Sequence, residues 1–419
     1  VGSLRIAWRN LGRNGRRTAI TAVAIGLNTA VLIATFGLMR GIVVDLVRQI
    51  TLLSVGEAQV HAEGYRQERS FFRPIPPEVA EAVLRAAEAE GIPAAARAFG
   101  FGLLSSGPKS SGSMFWGVDA EAERRAFDLA DRVAEGRFLG LAGHQGGGRA
   151  TLGRPVRELV LGRKLARALR VELGDEIVAV VQAGDGSLGN ELFTVTGILG
   201  GVGEEIDRAA AFVHRRDFDE LFASGGRVHE IAVSSRGRLS DEEVVRRLAP
   251  AAVGAELLSW RALLPAVSDM TRMFDAMLWL FALVFLLAAG LGVTNTMLMA
   301  TYERIREFGV LKALGKSPWG ILRDVSLEAW LLGAVASLAG LALGLLGTWY
   351  LAAVGIDMSG LGGDVVVQGI SMHSVWRAAP TLGDALGPVL AMWLACLLAA
   401  LYPAAKAARI DPVRAMTHV

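Results

Sequence analysis

Four uncharged stretches constrain this sequence more than any other feature. They lie between Arg17 and Arg40, Asp275 and Glu303, Glu328 and Asp357, and Asp384 and Lys406. Each is about 20 residues long or more, enough to cross a hydrocarbon layer about 30 Å thick as a helix. A helix buried in a soluble core seldom runs so far without a charge. The 419-residue chain is 52% hydrophobic, which is high for a soluble protein of this length. The expected fold is therefore an α-helical integral membrane protein with four transmembrane helices.

The charges between the apolar runs orient them. Arg5, Arg9, Arg13, Arg16 and Arg17 precede the first run. Arg304, Arg306, Lys312, Lys316 and Arg323 fall between the second and third, and Lys406, Arg409 and Arg414 follow the fourth. The loop between the third and fourth runs has Asp357, Asp364 and Asp384 against Arg377 alone. By the positive-inside rule both termini and the middle loop are cytoplasmic, and a large α+β extracytoplasmic domain is inserted between helices 1 and 2.

The expected layout is a cytoplasmic or interfacial amphipathic helix over 1–17, then spans at 18–41, 273–300, 317–354 and 385–405. The extracytoplasmic domain covers 42–272, a cytoplasmic helix 301–316, a short outer loop 355–384 and a cytoplasmic tail 406–419. The start has no convincing cleavage site, so the first span is read as an anchor. Cys396, the only cysteine, lies inside the fourth span, and the net charge of +2 gives no support to nucleic-acid binding.

In the outer domain, apolar alternation and turn residues predict two β-α-β halves. The first contains a helix opened by Pro76-Pro77, and the second a helix opened by the capping box Ser240…Glu243. Together they suggest a split, ferredoxin-like unit. A β-rich insertion is expected at about 120–207, with a Gly-rich turn at Gly184–Gly189. Gly146–Gly148 read as a loop.

Little in the sequence suggests catalysis. Gly315-Lys316-Ser317 resembles the end of a phosphate-binding loop, but Val310 stands where that motif needs glycine. The simpler reading is that Gly315 ends one helix while Ser317 and Pro318 open the next. The six histidines show no metal-ligand spacing, so no metal site is expected. Asn28, Thr294, Asn295 and Thr296 are intramembrane polar residues, read as interhelical hydrogen-bonding contacts. Leu38, Met39, Ile42 and Leu46 at the outer end of the first span, with Met273, Phe274, Met277 and Phe281 where the second emerges, suggest an adaptable groove for acyl chains. Beyond the second span, the charged run that follows reads as an unbroken continuation of the helix, placed to be pushed from the cytoplasm.

Three stretches carry a family resemblance. They are Glu303-Arg304-Ile305-Arg306-Glu307-Phe308-Gly309-Val310-Leu311-Lys312-Ala313-Leu314-Gly315, the C-terminal Tyr402-Pro403-Ala404…Ile410-Asp411-Pro412, and the opening Ala7-Trp8-Arg9-Asn10-Leu11. With Gly162, Leu165, Leu169, Gly174 and Asp175, they make the chain resemble an ABC transporter permease of the FtsX/MacB/LolC-LolE superfamily, closest in layout to the lipoprotein-releasing permeases. The resemblance implies a mechanotransmission permease in the bacterial cytoplasmic (inner) membrane, itself non-catalytic. Its partners would be a cytoplasmic ABC ATPase dimer, a second permease subunit (identical or homologous), membrane lipid, and a periplasmic carrier or lipoprotein. No cofactor is expected on this chain; ATP and Mg would be used by the ATPase, expected on a separate polypeptide. The signature would be the coupling helix, with Glu303, Arg304, Arg306, Glu307, Gly309, Lys312 and Gly315 at the ATPase. The other branch of the resemblance is an FtsX-like regulator of a periplasmic partner such as a cell-wall hydrolase.

Overall fold

The fold is described from a computed structural model, which describes residues 7–9, 12, 15–140, 156–358, 366–367, 370–371 and 375–411. Most of the expected interfacial helix, the loop at Gly146–Gly148, the end of the C-terminal tail and much of the loop 355–384 lie outside the described residues. The chain divides into an α+β unit (45–269 with 362–373) and a helical unit formed by the rest.

In chain order, α1 (Gly15–Ile50) is followed by β1 (Ala58–His61), α2 (Pro77–Ala89), β2 (Ala94–Ser106) and β3 (Lys109–Val118). Then come α3 (Ala120–Ala126), β4 (Val133–Gly136), β5 (Glu158–Leu161), α4 (Arg163–Leu169), β6 (Glu176–Gln182) and β7 (Leu188–Leu199). The unit closes with α5 (Glu204–Ala209), β8 (Ala210–His214), α6 (Arg215–Phe222), β9 (Glu230–Val233), α7 (Asp241–Leu248) and β10 (Glu256–Ser259). Local chemistry sets the helix starts. Asp119 accepts from the amides of Glu121 and Ala122, and Ser240 from that of Glu243.

Two sheet arrangements share one long strand. The strands β10-β1-β9-β2 lie side by side, all antiparallel. In terms of the four strands of the split unit, that order is 4-1-3-2, with α2 and α7 as the two crossovers; Val83, Val244 and Leu248 pack on Val60, Ile231 and Val233. Beyond Arg97, β2 continues into a ring of six strands. It pairs with β3 and β6, β3 with β8, β8 with β5, β5 with β7, and β7 returns to β6. The ring holds Leu104, Phe115, Ile177, Val181, Phe193 and Val213, none more than 3% exposed. The inserted structure therefore spans about 107–229, wider than the 120–207 read from sequence. The hairpin strand β3 and strand β8, both outside the 120–207 range, are staves of the ring. Closure removes the exposed edges that an inserted hairpin would carry.

The α+β unit also holds the short α8 (Trp260–Leu263). The helical unit contains most of α1 and of α9 (Pro265–Glu303), with α10 (Ile305–Ala313), α11 (Pro318–Ala353) and α12 (Leu382–Ala408). Helices α1, α9, α11 and α12 are each long and apolar enough to cross a membrane. Ile25, Leu32, Val293, Met297, Ala329, Met392 and Cys396 form their common core. Small residues set the approach of α1 to α11: a Cβ added at Gly340 would meet the Gly26 carbonyl oxygen at 2.5 Å and Thr29 Cβ at 2.6 Å. Arg40, at one end of this bundle, pairs with Asp384 at 2.6 Å, and Asp384 also completes the capping box that starts α12 at Thr381.

Candidate coupling surface

Helix α9 does not run on into the charged segment. Arg304 leaves helical geometry (φ −108°, ψ 14°), so α10 is a separate short helix. Its side chain gives the reason. Arg304 Nη1 donates to both carboxylate oxygens of Glu328 on α11, at 2.9 and 3.0 Å, and Nε donates to Glu307 at 3.1 Å. The guanidinium also lies 5.1 Å from the centre of the Phe308 ring. Reaching all three groups bends the backbone at this residue, which a sequence pattern of apolar periodicity does not register.

The rest of α10 is held from two further sides. Phe308 is 3% exposed and packs with Ile321, Val325, Ala404 and Ala407. Lys312 Nζ donates to the carbonyls of Ala408 (3.0 Å) and Ile410 (2.7 Å), so a cation sits on the free carbonyls at the end of α12. Gly315, with φ 92°, supplies the left-handed residue that turns the chain. Ser317 then accepts from the Gly320 amide, and Pro318 occupies the first turn of α11. This is a helix end and a helix start, not a phosphate cradle.

The seven residues expected at a partner therefore divide. Glu303 pairs with Arg17 at 2.9 Å, Arg304 and Lys312 bind within the chain, and Gly309 is buried. Arg306, Glu307 and Gly315 are exposed. Arg306 has no ion pair among the described residues. Beside them the structure exposes apolar residues that the emphasis on charge missed: Val310 (43% exposed), Leu314 (79%) and Trp319 (78%). The available signal was three apolar residues within ten positions, next to a helix end.

The intramembrane polar residues also divide. Thr294 donates to the Ala399 carbonyl at 3.0 Å, whereas Asn295 is exposed and Asn28 half-buried. Thr296 meets Thr21, a residue the sequence reading did not name, at 2.9 Å. Of the groove residues, Met273, Met277 and Phe281 are exposed, and Leu38, Met39 and Phe274 are half-buried. Ile42 (8%) and Leu46 (1%) are buried, and Leu46 belongs to the α+β unit.

The α+β unit has its own buried polar layer. Arg97, fully buried on β2, donates to Glu123 (2.6 and 3.0 Å), Glu230 (2.8 Å) and the Ser54 carbonyl (2.5 Å). Burial alone would lower its pKa, but the two carboxylates raise it instead. Next to it, His229 Nδ1 accepts from the Phe99 amide (3.1 Å), so its Nε2–H donates to the Phe71 carbonyl (2.8 Å). Burial lowers the pKa of this imidazole. On the ring, Glu158 opposes the tendency of burial to raise its pKa. Hydrogen bonds from His214 (3.1 Å), Arg137 and the Gly140 amide (2.7 Å) hold it at about 2.

Four helices long and apolar enough to cross a membrane, an α+β unit after the first, and a short anchored helix after the second define a multi-pass membrane protein. Residues 18–251 match the MacB-like periplasmic core domain and residues 279–412 the FtsX-like permease C-terminal domain. The chain belongs to the FtsX/MacB/LolC superfamily of ABC transporter permeases, whose members are generally non-catalytic subunits. It is 24% identical over 428 residues to the pyoverdine export ATP-binding/permease protein PvdT of Pseudomonas fluorescens, covering 99% of this chain and 59% of that protein. It is 27% identical to the macrolide export ATP-binding/permease protein MacB of Marinobacter nauticus, over 54% of this chain and 34% of that one. It is 23% identical to the lipoprotein-releasing system transmembrane protein LolC of Neisseria meningitidis, over 75% of each. The chain thus spans less than two thirds of the length of PvdT and MacB. Among solved structures, the periplasmic region of MacB from Actinobacillus actinomycetemcomitans aligns with 56% of this chain and 97% of that one, at 14% identity and a TM-score of 0.37.

Proposed function

We propose that this chain is the membrane permease of an ABC transporter in the bacterial cytoplasmic membrane, with both termini cytoplasmic, and that α10 receives the stroke of a cytoplasmic ATPase dimer. ATP and Mg act on that ATPase. A second permease subunit, identical or homologous, completes the assembly, and the α+β unit lies outside and carries the output. The observation that carries this reading is the build of α10. It is fastened to α11 and α12 through Arg304, Phe308 and Lys312, yet presents Arg306, Val310, Leu314 and Trp319 outward. A short helix so tied passes displacement to its neighbours instead of absorbing it, and its apolar tips suit an anchor-in-pocket interface.

Leu314→Glu and Arg306→Glu test this. In membranes that also contain the ATPase, both variants should insert normally. Leu314→Glu should reduce co-purification of the ATPase by at least about tenfold, the size expected for losing a central apolar anchor. Wild-type co-purification and ATP-dependent output in both variants would refute the assignment.

For the substrate, we propose a lipidated or otherwise hydrophobic molecule taken from the outer leaflet. The support is the exposed run Met273, Met277 and Phe281 on α9; thioether and aromatic side chains adapt to varied acyl surfaces. Photo-reactive residues at Met273 and Met277 should capture an acyl-bearing substrate in an ATP-dependent way. Labelling only by bulk phospholipid, unchanged by ATP, would exclude this substrate class.

A further inference from the structure

Between β1, the stretch of β2 from Arg97 to Phe101, the second half of β3, and the segment around Tyr65 lies a cavity of about 280 Å³, wholly within the α+β unit. That volume lies just below the range for drug-sized ligand sites, about 300–1,000 Å³, and so suits a small ligand. We propose that it binds a small amphipathic carboxylate: a flat apolar body of one or two rings, bearing a hydrogen-bond acceptor and one anionic group. The inference is independent of the coupling assigned to α10.

Three features of the lining define that chemistry. The walls are aromatic: Phe99 and Trp116 meet edge to face at 4.7 Å between ring centres, and Phe101 stands beside them, 61% exposed. Such rings receive a flat apolar body in stacked or edge-on contact. Trp116 is 8% exposed, and its indole N–H is buried without a hydrogen-bond acceptor among the described residues. A buried donor left unmade costs about 1–3 kcal/mol, so an acceptor on a ligand gains by reaching it.

The third feature is charge. Arg97 is matched by Glu123 and Glu230, and Arg69 by Glu205 at 2.8 Å. Arg66 donates to two carbonyls, Ala262 (2.9 Å) and Leu263 (3.2 Å), and to no carboxylate among the described residues. One guanidinium in the lining, that of Arg66, thus lacks a carboxylate partner among the described residues, and it is exposed. An arginine in that position favours a carboxylate through charge-assisted hydrogen bonds.

The test uses the full chain in lipid nanodiscs, with empty nanodiscs as reference. The probes are 6-hydroxy-2-naphthoate and its neutral methyl ester, read by saturation-transfer NMR and titration. The acid should bind saturably in the micromolar to low millimolar range. Arg66→Gln should weaken it about tenfold while leaving the ester unchanged, and Trp116→Phe should weaken both. Arg66 is exposed, so its replacement keeps the test valid even if Trp116→Phe melts early. No saturable binding above empty nanodiscs overturns the proposal, as does binding of the acid that Arg66→Gln leaves at wild-type strength.

Discussion

Arg97→Met should destabilise the α+β unit by about 3–5 kcal/mol, the usual cost of removing one partner from a buried ion pair. Arg97 is fully buried, and Glu123 is 1% exposed. Without the guanidinium, two carboxylates share an apolar interior that also contains Phe127, whose ring centre is 4.4 Å from the guanidinium carbon. Thermal melting of the full-length variant at neutral pH should show this loss as a clearly lower melting temperature than wild type. A melting temperature within a degree or so of wild type at neutral pH would show that the cluster contributes little.

Arg304→Ala should have the largest effect on the helical unit. It removes the two-pronged contact that holds Glu328, 6% exposed, and the contact that bends the chain between α9 and α10. The expected loss is about 3 kcal/mol, at the low end for a buried pair because Arg304 keeps some exposure. With the bend unpinned, α10 should still reach the ATPase but transmit less, so ATP hydrolysis should continue while output falls. The exchange Arg304→Glu with Glu328→Arg should recover part of both. Hydrolysis and output that fall together in proportion would argue instead for simple loss of the ATPase interface.

How much of this was legible in the sequence depended on the range of the interaction. The four crossing helices follow from runs without charge, a local property. So do Ser240 as a helix cap and Gly315-Ser317-Pro318 as a stop followed by a start. The order β10-β1-β9-β2 could be anticipated because two β-α-β units leave few ways to pair. The six-strand ring could not, since it depends on β6 finding β2 across about 75 residues (Leu103 opposite Val180), and alternation does not name a partner. The charged segment shows the other limit. Glu303, Arg304 and Lys312 look alike in a row of letters. Their roles were decided by Arg17, Glu328 and the carbonyls after α12, which lie far away in sequence. Leu314 and Trp319 were passed over because an apolar residue beside a membrane segment is unremarkable until its exposure is known.

Strand β2 is a single 13-residue backbone that belongs to the open sheet at one end and to the closed ring at the other. Two lobes joined by side-chain packing can slip when loaded; two lobes sharing a strand cannot shear without breaking a ladder of hydrogen bonds or stretching covalent bonds. A torque entering through β1 and β10 must turn the ring as well, in the manner of a beam built into two walls.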